Sequence, residues 1–370
     1  MVDAEIERNY FCIGWLISIH GNAGGEMTNA MCGNDHINTA SKNVIFGSYE
    51  FKLHGLSDND PYFSGVDHDH DCEFLTLCEM LVREDYICLD VGANIGTKSL
   101  FLARHASAGC VVSIEAAPSV LECLALNVEE NLIKNVIIKR CAIGDKSGHV
   151  FFKDNSAYGH VAGDGVAVPM VTLPDIVNEL GLNRVDFIKI DVEGLEFSIL
   201  KNSIDLINEK KSLVLFELNS WCQMAYGSTS PKEFIAWVLE HFSYVYVLRR
   251  NNGDGLLLDR VGSGSGEVLR ILHQNLMDDG CVTDLLVTNA EWRLAPSPQF
   301  LLRKQLRAAM AERDQAVAER DQAVAERDQA VAELDRILAS NSWSVTKPLR
   351  EISRFLRTLG SADLFGKHAT

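Results

Sequence analysis

From residue 86 to about residue 289, short apolar runs alternate with longer stretches whose apolar residues recur at helical spacing. The runs are YICLDVGA, CVVSIEAA, VIIKRCAIG, DFIKIDVEG, SLVLFELN, YVYVLRR and VTDLLVTN. Between them lie TKSLFLARH, SVLECLALNVEEN, LEFSILKNS and PKEFIAWVLEHF. Near-continuous Val, Ile and Leu predict strands buried on both faces, and such strands need helices above and below the sheet. The pattern predicts an α/β fold with a doubly wound sheet. VTDLLVTN is expected to pair with a hairpin partner at DGLLLDR, and residues 1–74 read as an irregular lead containing one strand, SYEFKLHG.

Beyond Pro298 the pattern changes. AERDQAV starts at 311, 318 and 325 and is followed by AELDRIL, so Met310, Val317, Val324, Val331 and Leu338 recur every seventh residue. This predicts a long helix over 300–340. Three residues after two of the valines stand Arg320 and Arg327, and only Leu334 is apolar there. The half-polar seam serves either as a coiled coil joining copies into a homo-oligomer or as a solvated spacer. In the tail, 341–370, Leu349, Ile352, Phe355 and Leu356 form an apolar stripe flanked by Lys347, Arg350, Arg354 and Arg357. A cationic amphipathic helix of this kind binds a membrane surface, binds a partner, or packs back on its own domain.

A chain of 370 residues that is 47% apolar can bury a large core. The apolar run at residues 10–19 is short and follows Asp3, Glu5 and Glu7, so neither an export signal nor a membrane span is expected. Ten cysteines without a CxxC pair, several inside apolar runs, predict thiols in a reducing compartment, hence the cytoplasm, with a peripheral place at the inner membrane if the tail binds lipid. A net charge of −17 opposes broad binding to nucleic-acid phosphates. His68 and His70 in DHDHD read as the approach to a helix, and no metal is assigned.

The chemistry concentrates at strand ends. Gly92, Asn94 and Gly96 follow an apolar strand and precede a helix, a turn whose backbone N–H groups can approach a ligand closely. The dinucleotide pattern G-x-G-x-x-G fails, because Asn94 and Thr97 replace its second and third glycines. Asp90 ends that strand and Glu115 ends the next; a carboxylate there can accept both hydroxyls of a ribose, and two acids would repel a pyrophosphate. Asp191 and Glu193 lie just past another strand, with Lys189 and Asp191 leaning to one face. His160 sits in SAYGHVAGDG, a loop expected over the site.

DVGANIG, IEAAP, LALNVEEN, CAIGD and VDFIKIDVEGLEFSILKN resemble the FkbM-type family of class I S-adenosylmethionine-dependent methyltransferases over residues 75–290. IEAAP departs from the Glu-Pro pair common in that family while keeping Glu115. The resemblance implies a Rossmann-like methyltransferase sheet with a C-terminal helical extension. It implies S-adenosylmethionine as cofactor, with Asp90, Gly92, Asn94 and Gly96 around its amino-acid and sulfonium end and Glu115 on its ribose. O-methyl transfer needs a base for the acceptor hydroxyl, and Asp191, Glu193 and His160 are the candidates. The stretch S-x-S-W-x-x-T-x-P-L-R from Ser340 is similar to the ends of bacterial glycosyltransferases and methyltransferases that build surface polysaccharides. That likeness implies a sugar hydroxyl of a surface polysaccharide, or of its lipid-linked precursor, as acceptor, with polysaccharide-synthesis enzymes or the membrane as partners. The alternatives are a small natural product as acceptor and a non-catalytic scaffold role.

Overall fold

A computed structural model describes residues 39–67, 71–250, 256–262, 264–339 and 347–360. The apolar run at 10–19, His68, His70 and the tryptophan at 343 lie outside the described residues.

The lead contributes an antiparallel hairpin, β1 (Ala40–Phe46) and β2 (Tyr49–Gly55); SYEFKLHG is its second strand. Helix α1 (Pro61–Gly65) is capped by Asp60, whose Oδ1 accepts from the Phe63 amide at 2.8 Å. Helix α2 (Cys72–Leu81) begins after Asp71, as DHDHD suggests, but the Asp71 carboxylate pairs with Lys98 at 3.0 Å instead of capping the helix.

The expected alternation follows: β3 (Ile87–Val91), α3 (Thr97–His105), β4 (Cys110–Glu115), α4 (Pro118–Glu130) and β5 (Val136–Arg140). VIIKRCAIG then breaks. Its last residues form β6 (Ala142–Ile143), which leaves the main sheet and joins β7 (Gly148–Lys153), β8 (His160–Ala162) and β9 (Val166–Val171) in a four-stranded sheet of order β6-β9-β7-β8. The chain returns through α5 (Leu173–Glu179) to β10 (Phe187–Ile190), α6 (Glu196–Lys210), β11 (Leu213–Asn219), α7 (Ser220–Ala225), α8 (Pro231–His241), β12 (Tyr244–Arg250), β13 (Leu256–Arg260), α9 (Ser265–Met277) and β14 (Val282–Thr288).

The main sheet has the order β13-β12-β14-β11-β10-β3-β4-β5. Strands β5, β4, β3, β10 and β11 are parallel, and β14 is antiparallel to both β11 and β12. DGLLLDR therefore pairs with YVYVLRR and not with VTDLLVTN. Leu285, Leu286 and Val287 are at most 1% exposed, which suits β14 to an interior slot and leaves partly exposed β13 as the edge. Side chains alternate between two cores: Cys88, Phe187, Leu213 and Leu215 face α2, α3 and the β1–β2 hairpin, whereas Leu89, Val91, Ile188, Ile190, Val214 and Phe216 face α5, α6, α8 and α9. The order reverses between β3 and β10, and at such a switch point the strand ends splay into a crevice.

Ser297, before α10 (Pro298–Ala339), is 1% exposed; its amide donates to the Met80 carbonyl at 2.7 Å and its Oγ accepts from the Phe300 amide at 3.1 Å. The junction with the repeat helix is thus docked on α2. Residues 301–337 are exposed throughout, Val317, Val324 and Val331 included. The tail forms α11 (Lys347–Gly360), on which Ile352, Phe355 and Leu356 are exposed. Among the described residues no helix is long and apolar enough to cross a membrane.

Candidate active site

The turn after β3 is shaped by three left-handed residues: Gly92 at φ +79°, Asn94 at +51° and Gly96 at +92°. A Cβ on Gly92 would stand 1.7 Å from the Asp191 carbonyl oxygen, and one on Gly96 would stand 2.4 Å from Leu124 Cδ1. Both glycines are demanded by close approach within the protein itself. Asn94 tolerates positive φ because its short amide bonds locally, Oδ1 accepting from the Ile95 amide at 2.7 Å. The amides of Gly92 and Ala93 both donate to the Ile114 carbonyl, at 2.9 and 3.0 Å, and strap the turn to β4.

Glu115, at the end of β4, accepts three backbone amides at 2.7 Å: Asn94 on Oε2, Ala116 and Ala117 on Oε1. A carboxylate offers about four acceptor positions, so one remains on Oε2. Burial pushes this carboxyl up, and the three amides pull against that shift.

Lys189 organises the space between β3 and β10. It is 4% exposed, and its Nζ donates to the Gly92 carbonyl at 3.0 Å and pairs with Asp191 at 3.1 Å and Asp90 at 3.5 Å. Asp90 is fully buried and accepts from Ser99 Oγ at 2.5 Å. Burial alone would raise Asp191, but Lys189 and Lys98 hold it below the usual carboxylate range. Glu193, at φ +56°, has Oε2 bonded by the Cys222 thiol at 2.9 Å and by Asn219 Nδ2 at 3.4 Å. Burial pushes Glu193 up, opposed by the thiol and reinforced by Asp191.

Glu196 holds the turn that carries Glu193. Its carboxylate accepts the amides of Val192 at 2.9 Å and Gly194 at 3.0 Å and the Gln223 side-chain amide at 2.5 Å. Glu217, two residues before the end of β11, faces Asp284 across the strand pair. Burial, with the Asp191 and Asp284 carboxylates adding to it, pushes Glu217 well above the carboxylate range.

These strand ends enclose a cavity of about 260 Å³. Gly92, Asn94, Glu115, Asp191 and Glu193 line it, so the structure brings five of the expected residues together. Asp90 lies beneath the turn and Gly96 caps α3; neither lines the cavity. His160 stands on β8 between cavity-lining Gly159 and Val161, with its own ring stacked on Tyr226 at 3.7 Å between centroids. Lys98, Glu217 and Tyr62 line the cavity unanticipated. Glu217 closes the apolar run of its strand and Lys98 stands in the first turn of α3 just after Gly96, both signals the sequence holds, whereas Tyr62 reaches the site through tertiary packing alone.

A sheet of this order, with a glycine turn after β3 and an acid closing β4, defines a class I, Rossmann-like methyltransferase fold. Residues 90–246 match the model of the methyltransferase FkbM domain: the chain carries an FkbM-type methyltransferase domain, whose methyl donor is S-adenosylmethionine. No curated protein matches the chain. Among solved structures, the chain is similar to a methyltransferase FkbM from Methylobacillus flagellatus KT, with 16% identity and a TM-score of 0.33 over 55% of this chain and 44% of that one. It is also similar to cofactor-bound Rv0187 from MTB, with 14% identity and a TM-score of 0.36 over 61% and 82% of the two chains. A precorrin-6y C5,15-methyltransferase from Geobacter metallireducens GS-15 has 12% identity and a TM-score of 0.32 over 58% and 85%.

The donor set fits the cofactor. Glu115 offers its remaining acceptor position to a ribose hydroxyl, the small and apolar Ala116, Ala117, Ala142 and Ile143 suit a flat base, and Asp191 suits a sulfonium charge. Glutamine at 115 would set an N–H against a backbone N–H. Glu115→Gln should therefore weaken S-adenosylmethionine binding in calorimetry by about 1–3 kcal/mol; unchanged affinity in the folded variant would take Glu115 out of the site.

Glu196 carries a pH signature. Burial pushes it from 4.5 to about 7 despite its backbone donors, and it is 1% exposed. A carboxyl raised by folding contributes stability that is complete below its unfolded pKa and lost as pH rises through the folded one. Glu196→Gln should remove that loss: relative to the variant, wild type should lose about 2–3 kcal/mol between pH 4.5 and 8 in urea unfolding. A difference that stays flat with pH would refute the assignment.

Proposed function

We propose that the protein is an O-methyltransferase acting on a sugar hydroxyl of a bacterial surface polysaccharide or of its lipid-linked precursor. The observation that carries this reading is the acidic lining of the cavity, where the carboxyl groups of Asp191, Glu193 and Glu217 join the cofactor turn. Such groups suit an acceptor that presents several hydroxyl donors.

When bound, S-adenosylmethionine supplies an electrophilic methyl group. Asp191, kept ionised by Lys189 and Lys98, sets a negative charge beside the site. Glu193 is the base: burial raises its pKa and makes it a stronger proton acceptor than an ordinary carboxylate, and with the Cys222 thiol and Asn219 holding Oε2, Oε1 is left to take the hydroxyl proton. His160 is turned to Tyr226 and is not given this role. The wording of the tail and the exposed apolar residues of α11 support work near the membrane, where such glycans are assembled.

The test supplies unmethylated glycan, from cells of the source strain lacking the gene, together with methyl-labelled S-adenosylmethionine. Label in an O-methyl sugar after hydrolysis supports the reading. Transfer to a nitrogen or carbon atom, or no transfer to any glycan fraction, overturns it.

A further inference from the structure

Beside the cavity mouth lies a cluster of aromatic side chains that neither the cofactor site nor the proton step uses. Trp221 on α7 is 56% exposed and meets Tyr226 edge-to-face at 5.4 Å between ring centroids. Tyr226 stacks on His160 at 3.7 Å and 14° between planes. The His160 ring is fixed by Nδ1 donating to the Tyr158 carbonyl at 2.9 Å. Tyr158 is 59% exposed and lines the cavity, as do Gly159 and Val161 on either side of His160. At the other end of the cluster, Cys222 follows Trp221 and donates its thiol to Glu193. Met224, on the same stretch of α7, is 56% exposed. The cluster therefore reaches the cavity wall through His160 and Tyr158, and the residue after Trp221 in the chain bonds the proposed base.

We infer that Trp221 and Tyr226 form an acceptor subsite, a platform on which a sugar ring of the glycan stacks so that its neighbouring hydroxyl reaches Glu193; this rests on the sugar-acceptor reading above. An aromatic face is electron-rich and attracts positively polarised C–H groups, and one face of a pyranose is such a row of C–H bonds. The hydroxyls at that ring's rim meet the acceptor-only carboxylates of Asp191 and Glu193. The shape selects a sugar over a cation. A cation is best held when aromatic faces surround it, whereas here His160 covers one face of Tyr226 and Trp221 stands at 83° to it, so the rings form no cage and 56%-exposed Trp221 offers the stacking face with Tyr226 bracing it. A hydroxyl of an extended chain can be presented along such a face with the neighbouring sugars outside the cavity.

The experiment uses the full-length protein with the unmethylated oligosaccharide released from the surface glycan of the gene-deleted strain. Trp221→Ala and Tyr226→Ala should each raise KM for the oligosaccharide about tenfold, the scale of removing one aromatic anchor. Turnover at saturation and S-adenosylmethionine affinity should stay near wild type, and Trp221→Phe, which keeps a ring, should restore most of the affinity. In the presence of S-adenosylhomocysteine, the oligosaccharide should change the tryptophan fluorescence of wild type and not of Trp221→Phe. If wild type methylates the oligosaccharide but Trp221→Ala keeps its KM, the platform is wrong and the acceptor reading stands. If wild type methylates no glycan, the acceptor reading falls and the platform with it. Affinity that collapses with added salt would identify a cationic acceptor and overturn the sugar.

Discussion

Glu193→Gln should bind S-adenosylmethionine as wild type does and lose about 100-fold or more in turnover, the share that a positioned base contributes to proton transfer. Glutamine keeps a carbonyl oxygen for the Cys222 thiol and Asn219 to bond, so the turn should survive the change. What disappears is the ability to take a proton. Wild-type turnover should rise with pH as Glu193 loses its proton, through a pKa raised above the usual glutamate value by burial and by the neighbouring Asp191 charge. In Glu193→Gln that rise should vanish. Single-turnover kinetics across pH, with calorimetry for the cofactor, measure both. Turnover near wild type would remove Glu193 as the base, and loss confined to Asp191→Asn would move the role there.

Lys189→Met should be the most destabilising change near the site, costing about 3–5 kcal/mol by urea unfolding, because removing one partner of a buried ion cluster leaves uncompensated charge. Lys189 touches Asp90, Asp191 and the Gly92 carbonyl, and methionine fills similar volume without a donor. The penalty has a pH signature of definite sign. Asp191 is held below its ordinary value of 3.8, so its contribution is present above that value and lost as pH falls through the folded one. The gap between variant and wild type should narrow in acid as Asp191 takes up a proton. Adding Asp90→Asn should recover part of the loss by removing the other buried charge. A penalty below about 1 kcal/mol, the range of exposed pairs, would show that the cluster is solvated.

How far the chain discloses itself depends on the distance over which each constraint acts. TKSLFLARH is helix Thr97–His105 to the residue, because periodicity and the preceding glycine are local signals. FIKI and LVLFELN are strands as their unbroken apolar runs imply. The turn of Gly92 and Asn94, with acids at the strand ends, announces a ligand site, but its reasons are partly elsewhere: Gly92 must be glycine because the Asp191 carbonyl, remote in sequence, crowds it. The same holds for Asp90, whose place under the turn is set by Lys189 and Ser99. The small sheet is hard to read because its strands are short and Pro169 falls inside β9, where it opposes His149. VIIKRCAIG looks like one strand, since nothing in its composition marks Cys141 as the point where the chain leaves the main sheet. His160 sits near the site as its loop suggests, yet only tertiary packing reveals that its ring belongs to Tyr226.

The cavity draws its two walls from two different sheets. The cofactor side is built from turns that close β3, β4 and β10, strands whose side chains fill both cores, so few substitutions there leave the fold intact. The opposite wall, with Ser156, Tyr158, Gly159 and Val161, hangs from an insertion that leaves after β5 and rejoins at α5. That wall is seated on the domain, since Phe152, Val168 and Met170 lie in the core shared with α2 and α3 and Val161 of β8 packs against it. What is left free to vary on that wall is exposed Tyr158, so its shape can be altered without touching the strands that carry Gly92 and Glu115.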